Sequence, residues 1–374
     1  MITTDAREFP AIPRLLAAAL VLMLGGWSAP APAGANPEAG VPQTVARIEG
    51  NVLARVFFAT NRAILPDREG ADRMGPDRGE PLFGRCGAEF TPIPMVGELA
   101  SRIPFHVPSE SRDIAFLHRL DREVFWQELA AAAARTSSGS VVLYVHGYNY
   151  GFERTCLMAA ELQRRLEDKA TLLMFSWPSN GNPADYVADQ ADMEWSVPLL
   201  TQIVARLMDE VGADNVSVLA HSLGSRGVIL SLYRLGVLRN DRPLVGELVF
   251  LAPDFDAQVF VNLLPELRPL SSRITLYASS GDAPLKLSQQ LSGYPRLGQA
   301  GEHLTVAPGM ETIDVSAAGR YQFTGHEYFY YHPLVAADLE TLLSERAGAA
   351  RRPGLRPLER DGQVYWQISA DGSR

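Results

Sequence analysis

The chain has 374 residues, of which 47% are hydrophobic and 21% are charged, and this length and composition allow one large domain with a well-buried core. Its formal net charge of −9 argues against nucleic acid as a partner and weakly against docking on an anionic membrane. The sequence contains no Walker loop, dinucleotide fingerprint, His-Glu-x-x-His motif or cysteine cluster, so we expect neither a cofactor nor a metal ion.

The N-terminus has the pattern of a signal peptide. Two arginines precede an apolar run at 15–24, which is short for a membrane span of about 20 residues. Ala33 and Ala35 then form a small-x-small cleavage site. We therefore predict a signal peptide over 1–35, export to the periplasm or the medium, and no stable membrane insertion after cleavage. An uncleaved N-terminal anchor is the alternative.

The mature chain is predicted to form one α/β domain over 51–347, after a Pro/Gly/Ala-rich linker at 36–50. Strand-like and helix-like segments alternate from Val141 to Val315, which is typical of a mostly parallel sheet flanked by helices. Residues 348–374 are predicted as a C-terminal tail.

Composition and periodicity predict further elements. The polar, glycine-rich stretch 61–90 is predicted to be loop. Helical patterns extend from Asp121 to Arg135 and from Pro333 to Glu345. In the tail, 364–368 indicates either a short added strand or an ordered arm.

The two cysteines of the chain are Cys86 and Cys156. Export would place them in an oxidising compartment, where they can pair. Two cysteines do not establish a bridge, and two buried thiols are an equally consistent interpretation.

A strand, a sharp turn and a helix are predicted around Ser222. The apolar run that begins at Val216 stops at this serine, and an apolar stripe with helical spacing follows. This is the arrangement of a nucleophile elbow, in which a strained turn lifts the serine oxygen above the sheet. Ala220 replaces the first glycine of Gly-x-Ser-x-Gly but is still small. An ordinary strand-to-helix turn with a capping serine is the alternative.

A nucleophilic serine of this kind also needs amide donors for the oxyanion. The apolar run that ends at Val145 leads into a loop that contains Tyr148, and we predict the amides of Tyr148 and Leu223 as the two donors. His146 lies too early in the chain to be the triad base of such a fold. It therefore either braces this loop or borders the pocket. Trp177 either lines the pocket or packs in the core.

His326 is the predicted base. Of the seven histidines, only His326 and His332 lie beyond the last predicted strand, which ends at Val315. His326 follows Gly325 in a loop, whereas His332 is less free because it precedes an apparent helix start. A surface loop histidine is the alternative interpretation of His326.

The acid has two candidates, because two predicted strands beyond the serine each lead to an aspartate. The usual position follows the second of these strands and favours Asp282. A minority of lipases carry the acid one strand earlier, which would select Asp254. Asp254 is otherwise interpreted as a carboxylate that braces its loop and caps the following helix, or as an acid that supports the triad from outside it.

Together these residues resemble the bacterial α/β-hydrolase family known as DUF900, an esterase/lipase-like family of unknown function. The resemblance implies a hydrolase fold with Ser222, Asp282 and His326 as the triad, but it implies no substrate. Ser225 stands where this family often has asparagine. The matching segments are Phe57–Arg62, Val145–Asn149 with Phe152 and Glu153, Phe175–Ser179, Ala220–Gly224, Ala252–Asp254, Leu276–Ser280 with Asp282, Gly293–Arg296, Ile313–Ser316 and Gly325–His326.

We therefore predict an exported α/β-hydrolase that cleaves a small-molecule ester or other acyl substrate through an acyl-enzyme. An acyltransferase or amidase with the same triad is one alternative. A catalytically silent binding protein on the same fold is another. The sequence does not indicate an oligomeric state.

Overall fold

The structure, a computed structural model, describes residues 43–48, 50–93, 110–182, 185–240, 242–319 and 324–369. The predicted signal peptide over 1–35 and most of the predicted linker at 36–50 lie outside these residues. Within the described ranges, no helix combines the length and the hydropathy that a bilayer crossing requires.

A single sheet organises the described residues. Eight strands run parallel in its centre, in the order β12-β10-β9-β8-β7-β5-β6-β2. Antiparallel strands extend both edges, with β3 and β4 beyond β2, β1 also paired with β2, and β11 beyond β12. The strands are β1 (Val45–Ile48), β2 (Asn51–Ile64), β3 (Met74–Pro92), β4 (Glu110–Leu120), β5 (Val141–Val145), β6 (Thr171–Ser176), β7 (Val216–His221), β8 (Val245–Leu251), β9 (Ser271–Ala278), β10 (Glu311–Asp314), β11 (Leu355–Arg360) and β12 (Gln363–Ile368).

Helices cover both faces of this sheet. One core layer packs the strands against α1, α3, α4 and α5, and the other packs them against α2, α6, α7 and α8. The helices are α1 (Arg122–Ala134), α2 (Phe152–Leu166), α3 (Tyr186–Val211), α4 (Gly224–Leu238), α5 (Ala257–Leu267), α6 (Ala283–Ser292), α7 (Tyr328–Tyr331) and α8 (Pro333–Glu345).

Burial on both faces explains the apolar runs of the central strands. In β5, Val141, Leu143 and Val145 belong to one core layer, whereas Val142 and Tyr144 belong to the other. A strand that is buried on both sides has no polar face, so its sequence is continuously apolar. The predicted α/β class, a mostly parallel sheet flanked by helices, is confirmed.

The prediction of a loop over 61–90 was wrong, because β2 continues to Ile64 and β3 begins at Met74. The glycines of β3 serve close packing inside the sheet. A Cβ on Gly84 would lie 2.2 Å from the His118 carbonyl oxygen and 2.6 Å from the Phe58 ring. Glycine in a strand often marks such a close approach. A strand that contains several glycines therefore resembles a loop in composition.

Other predictions concern the ends of the domain. The helices predicted from Asp121 and from Pro333 correspond to α1 and α8. The C-terminal tail contributes β11 and β12, and β12 pairs in parallel with β10. Residues of the tail therefore extend the sheet.

A disulfide joins the two cysteines. Cys86 lies in β3 and Cys156 in α2, and both are fully buried. The bond connects the antiparallel edge of the sheet to the helix that follows the β5 loop.

Candidate active site

Ser222 occupies a strained turn between β7 and α4. Its φ of +50° lies in the left-handed region, which is uncommon for a residue other than glycine. The turn is fixed from both sides, because the Ser222 amide donates to the Leu251 carbonyl at 3.0 Å and the Asp254 amide donates to the Ser222 carbonyl at 3.1 Å. The backbone thus has the geometry expected of a nucleophile elbow.

Two glycines allow the loop after β5 to reach this turn. A Cβ on Gly147 would lie 2.7 Å from Ser222 Cβ, and a Cβ on Gly224 would lie 2.3 Å from the His146 carbonyl oxygen. Real Cβ atoms do not approach other atoms so closely, so glycine is required at both positions. We call residues 146–150 the oxyanion loop, because it carries the predicted donor Tyr148; Gly151 is the N-cap of α2.

The structure places both predicted donors beside this turn. Leu223 follows Ser222 and is fully buried at the N-terminus of α4, where helical amides have no intrahelical acceptor. Tyr148 follows Gly147 and is half-buried, and its ring packs edge-on against Tyr186 with centroids 5.4 Å apart.

His326 and Asp282 form a hydrogen-bonded pair close to the elbow. His326 Nδ1 lies 2.7 Å from Asp282 Oδ2, and Asp282 is fully buried after β9. The other carboxylate oxygen accepts the Leu285 amide at 2.9 Å, which holds the carboxylate at the start of α6. The His326 ring lies 4.8 Å from the ring of His221, the residue before Ser222. Among the described contacts, the Ser222 hydroxyl is not hydrogen-bonded to His326.

The charge of Asp282 raises the pKa of His326. Burial acts to lower the pKa of His326, but the charge of Asp282 and the hydrogen bond to it outweigh burial, so this pKa lies above 6.5. Burial raises the pKa of Asp282, and His326 opposes that effect. An aspartate in this position favours the tautomer that carries its proton on Nδ1 and leaves Nε2 as the acceptor.

Asp254, the alternative acid, belongs to a different network. Its Oδ1 accepts from Arg296 Nε at 2.9 Å and from Ser288 Oγ at 2.7 Å. Its Oδ2 accepts from the Tyr186 hydroxyl at 2.7 Å. These partners take up both oxygens, and the structure pairs His326 with Asp282 instead. Asp254 thus braces its loop, but the second interpretation was wrong about the helix cap, because Asp256 caps α5 by accepting the Gln258 and Val259 amides.

His146 and Trp177 do not line an open pocket, because both side chains are fully buried. Their rings stack with centroids 4.9 Å apart and an interplanar angle of 3°, and Trp177 Nε1 donates to the His146 carbonyl at 2.9 Å. Burial, and then the charge of Arg62, hold the pKa of His146 well below 6.5. Of the two interpretations that the sequence left open for each residue, burial therefore favours bracing of the loop for His146 and packing in the core for Trp177.

Sequence reasoning missed a polar cluster that connects the oxyanion loop to the His326 loop. The Tyr150 hydroxyl donates to Glu327, the residue after His326, and Arg154 donates to the same carboxylate at 2.5 Å. The Tyr150 ring also lies 5.8 Å from the His221 ring. The only sequence signal was the position of Glu327 next to the predicted base.

The described part of the chain contains no group of three or more His, Cys, Asp or Glu side chains placed to hold a metal ion. The arrangement at Ser222 instead offers a hydroxyl, an imidazole, a carboxylate and nearby backbone amides. These groups suit nucleophilic acyl chemistry.

Comparison with solved structures finds hydrolases of low sequence identity. A predicted CIB-like hydrolase from Thermoplasma acidophilum is 14% identical with a TM-score of 0.31, covering 53% of this chain and 82% of that one. A thermophilic carboxylesterase from a metagenomic library is 11% identical with a TM-score of 0.33, covering 83% and 91%. An esterase from Pyrobaculum calidifontis is 12% identical with a TM-score of 0.28, covering 70% of each chain. A search of the curated proteins found no match.

A family model matches residues 122–346, which make up more than half of the chain. Its description is an α/β hydrolase of unknown function, DUF900. The match includes β5 to β10 and therefore the elbow, the oxyanion loop, Asp282 and His326. It confirms the resemblance found in the sequence, and the chain belongs to the DUF900 family of α/β hydrolases.

Proposed function

We propose that this hydrolase uses Ser222 as its nucleophile and cleaves a small-molecule carboxylic-ester-like bond through an acyl-enzyme. The observation that carries the proposal is the His326–Asp282 pair, with its 2.7 Å contact, beside a serine at a φ of +50°. A serine hydroxyl is a weak nucleophile unless a neighbouring base accepts its proton, and an oriented imidazole is the usual base.

Each group has a defined step in this mechanism. Ser222 Oγ attacks the carbonyl carbon while His326 Nε2 takes the serine proton, and the C=O π electrons move onto oxygen. The amides of Leu223 and Tyr148 donate to that oxyanion. The C–O bond to the alcohol then breaks as His326 returns the proton to the leaving oxygen. Water, activated by the same imidazole, hydrolyses the acyl-enzyme, and Asp282 holds the imidazole throughout.

Ser222→Ala tests the proposal. The wild-type protein should hydrolyse short p-nitrophenyl esters and react covalently with a fluorophosphonate probe. Ser222→Ala should lose both properties and keep a cooperative thermal transition. Ser231→Ala is a matched control, because Ser231 is a buried serine on α4 whose hydroxyl donates to the Val197 carbonyl at 3.3 Å.

Two results would contradict the proposal. Residual hydrolysis above about one part in a thousand in Ser222→Ala would indicate another nucleophile, because removing a triad member typically costs more than that. A folded wild-type protein that neither hydrolyses esters nor reacts with the probe would favour a binding protein on this fold.

We further propose that the protein is exported and that 1–35 is removed. The buried Cys86–Cys156 disulfide supports export, because such bonds persist mainly in oxidising compartments. Mass spectrometry of the exported protein should find an N-terminus near Asn36. A peptide that contains Met1 in that material would overturn the cleavage.

A further inference from the structure

A buried arginine lies beneath the oxyanion loop. Arg62 is 1% exposed at the end of β2, and all three of its guanidinium nitrogens donate. Nε donates to Ser176 Oγ at 2.9 Å, Nη1 to the Ser179 carbonyl at 2.9 Å, and Nη2 to the Tyr150 carbonyl at 2.6 Å. Burial lowers the pKa of Arg62 to about 9, so the guanidinium remains charged at neutral pH.

A buried aspartate binds the backbone amides of the same loop. Asp189, in the first turn of α3, is fully buried. Its Oδ2 accepts from the Asn149 amide at 3.3 Å and from Ser179 Oγ at 2.5 Å. Ser179 Oγ in turn accepts from the Tyr150 amide at 3.1 Å. Two consecutive amides of the oxyanion loop are thus tied to one carboxylate, one directly and one through a hydroxyl.

These contacts surround the predicted oxyanion donor. Gly147, before Tyr148, packs against Ser222, and Asn149, after it, is held by Asp189 with a φ of +63°. The peptide of Tyr148 therefore lies between two anchored residues, and its direction depends on both anchors.

We propose that Arg62, Ser179 and Asp189, here called the loop clamp, position the oxyanion loop so that the Tyr148 amide meets the oxyanion. The inference rests on the proposed function. These are positioning residues, because they act through the loop backbone.

The chemistry of the loop clamp suits this task better than it suits stability. Burying a charge is costly, and replacing buried ionic groups by well-packed apolar groups of similar volume is often neutral or stabilising. Charged groups, however, form the shorter and stronger hydrogen bonds. An oxyanion donor must be held in position before the charge develops, since preorganisation is the source of its effect.

Ser179→Ala is the sharpest test, because it removes only the hydroxyl between the Tyr150 amide and Asp189. The oxyanion forms in the transition state, so kcat per titrated active site should fall about tenfold or more while KM changes little. Inhibition by a trifluoromethyl ketone, whose tetrahedral adduct carries an oxyanion, should weaken by a similar factor. Asp189→Asn keeps the size and one acceptor oxygen but loses the charge, and it should also lower kcat.

Ser231→Ala again serves as the control, because it loses a buried serine hydroxyl away from the loop. It should keep kcat per active site and the inhibitor affinity. Its thermal destabilisation should be smaller than that of Ser179→Ala, because it loses one neutral hydrogen bond of 3.3 Å. The inference is wrong if Ser179→Ala and Asp189→Asn both remain within twofold of Ser231→Ala in kcat and in inhibitor affinity. A failure of the proposed function has a different signature: either wild-type hydrolysis that Ser222→Ala does not remove, or a folded wild-type protein that neither hydrolyses esters nor reacts with the probe.

Discussion

Replacing Asp282 by asparagine should nearly abolish turnover while leaving the shape of the site intact. In the structure, Asp282 Oδ1 accepts the Leu285 amide and Oδ2 faces His326 Nδ1. An asparagine would keep its oxygen on the Leu285 amide, which turns its NH₂ group toward Nδ1. The imidazole would then carry its proton on Nε2, where no lone pair is left to accept the Ser222 proton.

The expected size of this effect is about 10⁴ in kcat, the loss that the wrong tautomer causes in serine proteases. At about 1.36 kcal/mol per tenfold change in rate, this corresponds to about 5.4 kcal/mol of barrier. Loss of a charge-assisted hydrogen bond alone accounts for about 1.5–3 kcal/mol. We attribute the rest of the barrier increase to the wrong tautomer of His326, in which Nε2 can no longer accept the Ser222 proton.

The assay is steady-state hydrolysis of a short p-nitrophenyl ester, at a temperature where each variant is folded by circular dichroism. Asp254→Asn is the matched control, because Asp254 is also a buried aspartate beside the elbow, 5% exposed. It should lose less than about tenfold in kcat. It should lose more stability, since breaking the buried contact with Arg296 costs about 3–5 kcal/mol.

Two outcomes would refute this reasoning. An Asp282→Asn variant that retains more than a tenth of the wild-type kcat would show that Asp282 does not control the base. A larger loss of kcat in Asp254→Asn than in Asp282→Asn would place the acid after β8.

Two further predictions concern the base and the oxyanion loop. The base must be unprotonated, so kcat/KM should fall as the pH drops through the raised pKa of His326, with a midpoint above 6.5; a midpoint below 6.5 would contradict this. Asp282→Asn should shift that midpoint downward. Gly147→Ala should lose most of its activity, because its Cβ would lie 2.7 Å from Ser222 Cβ. Gly151→Ala, where a Cβ meets nothing within 4 Å, should keep its activity, and equal rates in the two variants would count against the close packing.

Much of the fold and of the candidate site could be predicted from local patterns in the sequence. The elbow at Ser222 was predicted because a strand, a turn and a helix each have their own short-range periodicity. The central strands were recognisable for a related reason, since burial on both faces leaves a continuous apolar run such as that ending at Val145. The stretch 61–90 was wrongly predicted to be loop, because the glycines of β3 pack against neighbouring strands and composition does not identify those strands.

The sequence by itself determined the fold class, the position of the elbow serine and the short set of residues able to serve it, because these follow from local periodicity, turn chemistry and chain order. Only the tertiary structure decided which aspartate pairs with His326, since Asp254 and Asp282 both follow parallel strands that end at the same edge of the sheet. It also decided the role of Arg62, whose contacts with Tyr150 and Ser179 span 88 and 117 residues of sequence. Hydrogen bonds act over about 3 Å, so the folded backbone alone selects their partners.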